Sequence, residues 1–235
     1  MTKRFIDVVL SAVALLVFSP LLLAIAVWVK LDSPGPVFYR GQRAGKHNRP
    51  FGIYKFRSMV MNAERVGGSS TGDHDPRITR SGRFIRKYKI DELSQLINVL
   101  IGDMSLVGPR PEVLSYTSKY QGELLEILEV RPGISDWATI WNADEGAVLA
   151  GAPDADRAFE VLIQPTKLKL QLRYVRTRTL WSDLRILAYT IRRMADSSFT
   201  PAEIADIPPL QPGAGARLAR DTASPGSLPT AAPSI

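Results

Sequence analysis

Apolar and polar positions divide the chain into blocks of different character. Residues 8–29 are apolar almost without interruption, broken only by Ser11, Ser19 and Pro20. That run is long enough to cross a bilayer as a helix, which takes about 20 residues. Further on, Leu93, Leu96, Ile97, Leu100 and Ile101 recur at helical spacing, which predicts an amphipathic helix stopped by Gly102. Short aromatic runs at 37–39 and 51–56 flank a polar turn at 45–50 and predict a β-hairpin. Helical patterns return at 114–130, 164–174 and 180–194. In the last of these, Leu180, Leu184, Leu187, Ile191 and Met194 form a stripe beside Trp181, with Arg185, Arg192 and Arg193 around it. Such a helix suits a membrane interface and suits a protein core equally well. Beyond Ala195 prolines gather with Ala, Gly and Ser, and disorder is expected there. The fold class these blocks predict is α+β, mostly helical with a small β-hairpin or sheet. Its parts are a membrane segment over 1–34, a catalytic-size body over 35–195, and a proline-rich tail over 196–235.

The membrane segment has two topologies. Hydropathy alone is satisfied by a single crossing. Two details favour a bent helix that returns to its own side. Ser19-Pro20 falls near the middle of the block, where proline removes a helical hydrogen bond, and the Ser19 hydroxyl is placed to cover the freed carbonyl. Cations also flank both ends, with Lys3 and Arg4 before and Lys30, Arg40, Arg43 and Lys46 after, and the positive-inside rule draws both flanks to the cytoplasm. A secretory signal fits poorly, because the block is too long and no small-x-small cleavage site follows it.

Charge changes the picture next. The chain carries +7, and the residues after Ala195 have four acids against two arginines, so the rest holds +9. Such a body prefers anionic partners, whether anionic lipid, phosphorylated substrate or nucleic acid. No helix-turn-helix, finger or RNA-binding motif accompanies the charge, so nucleic acid ranks last. The absence of cysteine excludes disulfides, thiol catalysis and cysteine-based zinc sites. His47 and His74 lie in polar, glycine-bearing stretches and read as solvent-exposed. Asp73 and Asp75 of the intervening loop read as solvated acids before they read as cation ligands.

Residues 80–112 concentrate the candidate chemistry. Arg80, Arg83, Arg86, Lys87 and Lys89 precede the acidic pair Asp91-Glu92, which stands at the expected start of the amphipathic helix, where negative charge is favoured. Gly108-Pro109-Arg110-Pro111 follows as a stiff loop presenting one arginine. Lys55 and Arg57 alternate with aromatic residues on the second hairpin strand and are suited to face an anion. Arg131 leads a second proline-glycine turn. Each feature alone is ordinary surface chemistry; together they point to a site that handles phosphate.

Five strings, SPGPVFYRGQRAG (33–45), FGIYKFRSM (51–59), DPRITRSGRFIRK (75–87), IDELSQLINVLIGDMSLVGPRPE (90–112) and VRPGIS (130–135), resemble the bacterial sugar transferases, the monotopic phosphoglycosyl transferases. The likeness covers nearly all of residues 1–195. It implies an enzyme on the cytoplasmic face of the bacterial inner membrane, anchored by a re-entrant helix bent at Ser19-Pro20 and by interfacial amphipathic helices. It also implies transfer of a sugar-1-phosphate from a UDP-sugar to undecaprenyl phosphate, with release of UMP. The family's Mg²⁺ and its covalent aspartyl intermediate fall here on Asp91 as nucleophile, with Asp91 and Glu92 as metal ligands. Lys55, Arg57, Arg86 and Arg131 become candidate substrate clamps and Arg110 the candidate nucleotide contact. Membrane lipid is a partner, nucleic acid is not, and a homo-oligomer is left open. Two departures stand out. Leu93-Ser94-Gln95 replaces the usual Leu-Pro-Gln, and residues 135–144 lack the family's usual glycine, which is Asp136 here, and its Gly-Arg. That second departure motivates the alternative of a membrane-bound scaffold or regulator of glycan assembly.

Overall fold

The computed structural model describes residues 2–66, 70–73 and 75–223, so His74 and the end of the tail lie outside the described residues. Helix α1 runs from Thr2 to Asp32 with Pro20 inside it. At 1.5 Å per residue it is about 46 Å long. The interruption expected at Ser19-Pro20 is limited to one missing N–H. Pro20 cannot donate to the Leu16 carbonyl, and Ser19 Oγ donates to that oxygen instead at 2.7 Å, as the sequence suggests. The middle of α1 touches little: Leu16 is 76% and Leu23 67% exposed.

Both ends of α1 grip the same body. Near the start, Lys3 Nζ pairs with Asp183 at 2.6 Å, Arg4 donates to the Val99 and Leu100 carbonyls, and Asp7 accepts from Ser105 Oγ and Leu106 N. Near the end, Ile25 and Val29 pack with Phe56 and Ile85 in a small apolar cluster, and Asp32 accepts two 2.8 Å bonds from Ser81.

After α1 come four short strands, β1 (Phe38–Tyr39), β2 (Gln42–Ala44), β3 (Pro50–Gly52) and β4 (Lys55–Phe56). β2 and β3 pair antiparallel around a turn at Lys46–Asn48, and β1 pairs antiparallel with β4. The predicted hairpin is therefore present, in two offset pieces. Helix α2 (Ala63–Val66) leads to the basic helix α3 (Arg80–Lys87), capped by Thr79 Oγ1 accepting from Gly82 N at 3.0 Å. Helix α4 (Gln95–Ile101) buries Gln95, Leu96, Asn98 and Val99, so of the expected stripe only Leu96 is buried: Leu93 precedes the helix, Ile97 and Leu100 are half-buried and Ile101 is 60% exposed. It ends at Gly102, whose φ of 107° needs glycine. Strand β5 (Ser105–Val107) then pairs in parallel with β6 (Gly133–Ser135). Where the two following loops cross, a Cβ on Gly133 would stand 2.0 Å from Gly108 N, so the Pro-Arg-Pro and Arg-Pro-Gly turns can meet only through glycine.

The single helix expected at 114–130 is split. Helix α5 (Leu114–Thr117) stops, Gly122 takes φ 55°, and residues 122–129 continue as a 3₁₀ turn. Helices α6 (Trp137–Trp141), α7 (Glu145–Leu149) and α8 (Ala155–Ala158) pass through a π-helical turn into α9 (Gln164–Thr177), followed by α10 (Leu180–Ala195). In α10 Ile186 is fully buried and Leu187 packs on the core, while Trp181, Ile191 and Met194 are more than 60% exposed. The expected stripe thus loses Leu187 to the core and keeps its other members outside.

The tail departs from expectation. Residues 201–223 fold back, with Ile204 1% exposed and helix α11 (Ala214–Ala223) lying against α7 and α8. Trp141 Nε1 donates to the Pro208 carbonyl at 3.0 Å and Gly213 N to the Ala147 carbonyl at 2.7 Å. The averaged composition hides Ile204, Ile207, Leu210 and Leu218, which join the main core and supply apolar burial that the prolines do not prevent.

Candidate active site

The acidic pair sits on a 3₁₀ turn, Ile90–Glu92, just before the first turn of α4, as its expected place at the helix start allows. The cause is Lys89, whose φ of 55° is left-handed and turns the chain sharply away from α3. Ser94 and Asn98 then stitch α4 to the hairpin. Ser94 Oγ donates to the Tyr54 carbonyl at 3.1 Å, Asn98 Oδ1 accepts from Tyr54 N at 2.8 Å, and Asn98 Nδ2 donates to the Gly52 carbonyl at 3.0 Å. These bonds fix strand β4 beside the turn and aim Lys55 at the acids.

Asp91 is 2% exposed. Its Oδ2 lies 3.0 Å from Lys55 Nζ, while its Oδ1 is buried with no hydrogen-bond partner among the described residues. Unpartnered buried oxygens are costly and therefore informative. Glu92 is the opposite case. It receives both Nη atoms of Arg110 and lies 3.4 Å from Lys55 Nζ. Burial alone would push the Glu92 carboxyl up, but the charges of Arg110 and Lys55, with the Arg110 hydrogen bond and Lys89, hold it well below the usual carboxylate range. Arg110 is in turn held more firmly protonated, first by the Glu92 charge.

Arg110 is itself fixed from two sides. Its N–H donates to Asp136 Oδ2 at 3.3 Å, and its carbonyl accepts from Gln171 Nε2 at 3.3 Å. Asp136, fully buried, also caps α6 by accepting from Thr139 N at 2.7 Å. Asp136 is thus wired to the arginine loop. No local pattern announces that role, because its partner lies 26 residues away. Arg43, half-buried near Arg110 and Glu112, is a further cation here that sequence reasoning missed; burial, then the Arg110 charge, lower its pKa against the pull of Glu112.

The other candidates are dispersed. Arg57 donates to the Val29 and Ser33 carbonyls and to Ser33 Oγ, so it closes the C-terminal end of α1. Arg86 is half-buried in the last turn of α3 and makes no hydrogen bond or ion pair among the described residues. Arg131 donates through Nε to the Gly102 carbonyl at 2.8 Å, at the far end of α4 from Asp91. Asp75 is engaged by Arg77, and His47 is exposed beside Glu129.

Among the described residues no group of three or more His, Cys, Asp or Glu converges. A magnesium ion does not need one, because it commonly keeps several waters and takes one or two carboxylates with substrate phosphates. The Asp91 carboxylate, with one oxygen beside Lys55 and the other unpartnered among the described residues, fits that role as it stands. Glu92 fits it less directly, since Arg110 and Lys55 already occupy its oxygens.

Residues 1–197 match the family model for the bacterial sugar transferases, and the chain belongs to that family. Over 195 residues it is 44% identical to the UDP-N-acetylgalactosamine-undecaprenyl-phosphate N-acetylgalactosaminephosphotransferase of Aeromonas hydrophila, covering 81% of this chain and 43% of that protein. It is 39% identical over 196 residues to the UDP-glucose:undecaprenyl-phosphate glucose-1-phosphate transferase of Escherichia coli K12, covering 80% and 39%. The protein of the same name from Caulobacter vibrioides is 36% identical over 192 residues, covering 80% and 68%. The chain spans about two-fifths of the length of the first two.

Proposed function

We propose that this protein is a membrane-bound phosphoglycosyl transferase that moves a sugar-1-phosphate from a UDP-sugar to undecaprenyl phosphate and releases UMP. The donors named for the three relatives are UDP-N-acetylgalactosamine once and UDP-glucose twice; they share the uridine diphosphate but not one sugar, so the proposal is for a UDP-sugar as a class. The observation that carries the reading is Asp91 Oδ1, a buried and unpartnered carboxylate oxygen beside Lys55 and the Arg110–Glu92 pair.

In the first step Asp91 Oδ1 attacks the β-phosphorus of the donor. The bond from that phosphorus to the bridging oxygen breaks, UMP leaves with the electron pair, and the phosphosugar stays on Asp91 as an acyl phosphate. In the second step an oxygen of undecaprenyl phosphate attacks the same phosphorus, and the Asp91 oxygen leaves as carboxylate. A carboxylate nucleophile separates the two anionic substrates in time. Phosphoryl transfer depends chiefly on positioning and neutralisation. Lys55 sits where it can follow charge from Asp91 to the phosphate. Glu92 holds Arg110 in place until a diphosphate competes for its guanidinium, a planar donor suited to phosphate oxygens. A magnesium ion held by Asp91 and Glu92 would supply further neutralisation of the diphosphate.

The lipidic acceptor arrives along α1. Both helix ends are bound to one body while the middle presents exposed leucine, valine and phenylalanine, an arrangement that supports both ends lying on the cytoplasmic face. The exposed Trp181, Ile191 and Met194 of α10 suit the interface beside them.

The test is incubation with a UDP-sugar panel, magnesium and undecaprenyl phosphate, following UMP. Asp91→Asn should lower turnover by about a thousandfold or more, and donor alone should label wild-type Asp91. Full UMP release by Asp91→Asn would remove the nucleophile from this account and favour a scaffold or a different acceptor residue.

A further inference from the structure

A cavity of about 270 Å³ at the N-terminal foot of α1 collects five cations, Lys3, Arg4, Lys46, Arg131 and Arg178. Two of them are engaged: Lys3 holds Asp183 and the Val107 carbonyl, and Arg4 caps α4 through Val99 and Leu100. The other three keep donors in reserve. Lys46 Nζ has no hydrogen-bond or ion-pair partner among the described residues, Arg131 uses only Nε, and Arg178 uses only Nη1, on the Val175 carbonyl. Of the acids in the wall, Asp7 already accepts from Ser105 and Leu106, and Glu129 lies 3.3 Å from His47, so five cations face two acids that both have partners. The hollow therefore has unused N–H donors and a positive balance.

Its position sets it apart from the transfer site. Arg4 binds the C-terminal end of α4 while Asp91 precedes the N-terminal end, which separates them by roughly 10 Å of helix. Neither Asp91, Glu92, Lys55 nor Arg110 lines the cavity. Two apolar surfaces flank it: Phe5, 70% exposed beside Arg4, and Trp181, 68% exposed three residues from Arg178. With α1 in lipid, the cavity opens at headgroup depth, where the anions on offer are phosphodiesters.

We propose that this cavity binds the headgroup of an anionic phospholipid, as a site distinct from that of donor and acceptor. The inference rests on the reading that α1 lies in the bilayer. Lys46, Arg131 and Arg178 would take the phosphodiester, while Phe5 and Trp181 lie along its acyl chains.

Native mass spectrometry of the full chain released from nanodiscs of equal phosphatidylglycerol and phosphatidylcholine tests it. Wild type should retain phosphatidylglycerol selectively. Lys46→Ala/Arg178→Ala should lower that selectivity by roughly fivefold for each cation removed, and Arg83→Ala/Lys87→Ala, which removes equal charge from α3, should leave it unchanged. Lys46→Ala alone removes an exposed, unpartnered side chain and provides a folded variant in any case. Equal retention of the two lipids by wild type overturns the proposal, as does a matching drop in the α3 variant or displacement of the lipid by inorganic phosphate or undecaprenyl phosphate. Failure to enter nanodiscs at all would instead overturn the membrane reading of α1.

Discussion

The two ends of α1 are fastened to one body by different physics. The N-terminal end uses charge: Lys3 on Asp183, Arg4 on helix carbonyls, Asp7 on Ser105 and Leu106. The C-terminal end adds apolar packing, with Val29 and Ile85 both fully buried, to two polar ties: Arg57, which closes the helix, and Asp32, which accepts from Ser81. The first kind of anchor is all-or-none, because a buried charge without its partner is strongly unfavourable. The second is graded and tolerant of small changes in shape. The graded end is also the one joined to chemistry, since Phe56 of that cluster neighbours Lys55 on β4.

Breaking the charged end should cost most. Asp183 accepts from both Lys3 and Tyr174 Oη, whose phenol is pushed well above its ordinary pKa by burial and then by the Asp183 charge, so it stays a donor. Asp183→Ala should destabilise the protein by about 4 kcal/mol, read as a lowered thermal midpoint in detergent. Lys3→Met/Asp183→Leu, which removes both charges, should recover part of the loss; no recovery would mean that the pair is not what matters. At the apolar end Ile85→Ala should cost about 3 kcal/mol and lower UMP release by shifting β4 and Lys55. An unchanged rate in folded protein would uncouple that anchor from the site.

Glu92→Gln should cost about 2 kcal/mol at neutral pH and also change the acid limb of stability. Because the folded carboxyl titrates below its unfolded value, its contribution is complete above the ordinary glutamate pKa near 4.3 and fades as pH falls towards the folded value. Wild type should therefore lose stability on acidification below about pH 4, and Glu92→Gln should lose less over that range; parallel curves would show that Glu92 is not the titrating group. The smallest effect is at the proline. Ser19→Ala should cost about 1 kcal/mol or less, with α1 fraying near Leu16 by hydrogen exchange.

The candidate site was legible in the sequence as residue types: an acidic pair after a basic run, a Pro-Arg-Pro loop, a lysine on an aromatic strand. Lys55, Asp91, Glu92 and Arg110 do come together. Arg57 was equally good in pattern and went elsewhere, because the open carbonyls at the end of α1 needed a donor and local periodicity records no such demand. The tail was misread for a related reason: its few apolar residues count only once α6, α7 and α8 offer them a surface.

Sequence alone determined the apolar length of α1, the Ser19–Leu16 repair at Pro20, the glycine stop of α4, and the identity of the charged residues, all of which depend on neighbours within one or two turns. Tertiary structure decided which cation meets which acid, that among the described residues Asp91 keeps one oxygen without a partner while Glu92 keeps none, that Asp136 holds the arginine loop, and that both ends of α1 contact one body. Those outcomes join residues far apart in the chain, where electrostatics and burial depend on the assembled interior rather than on local order.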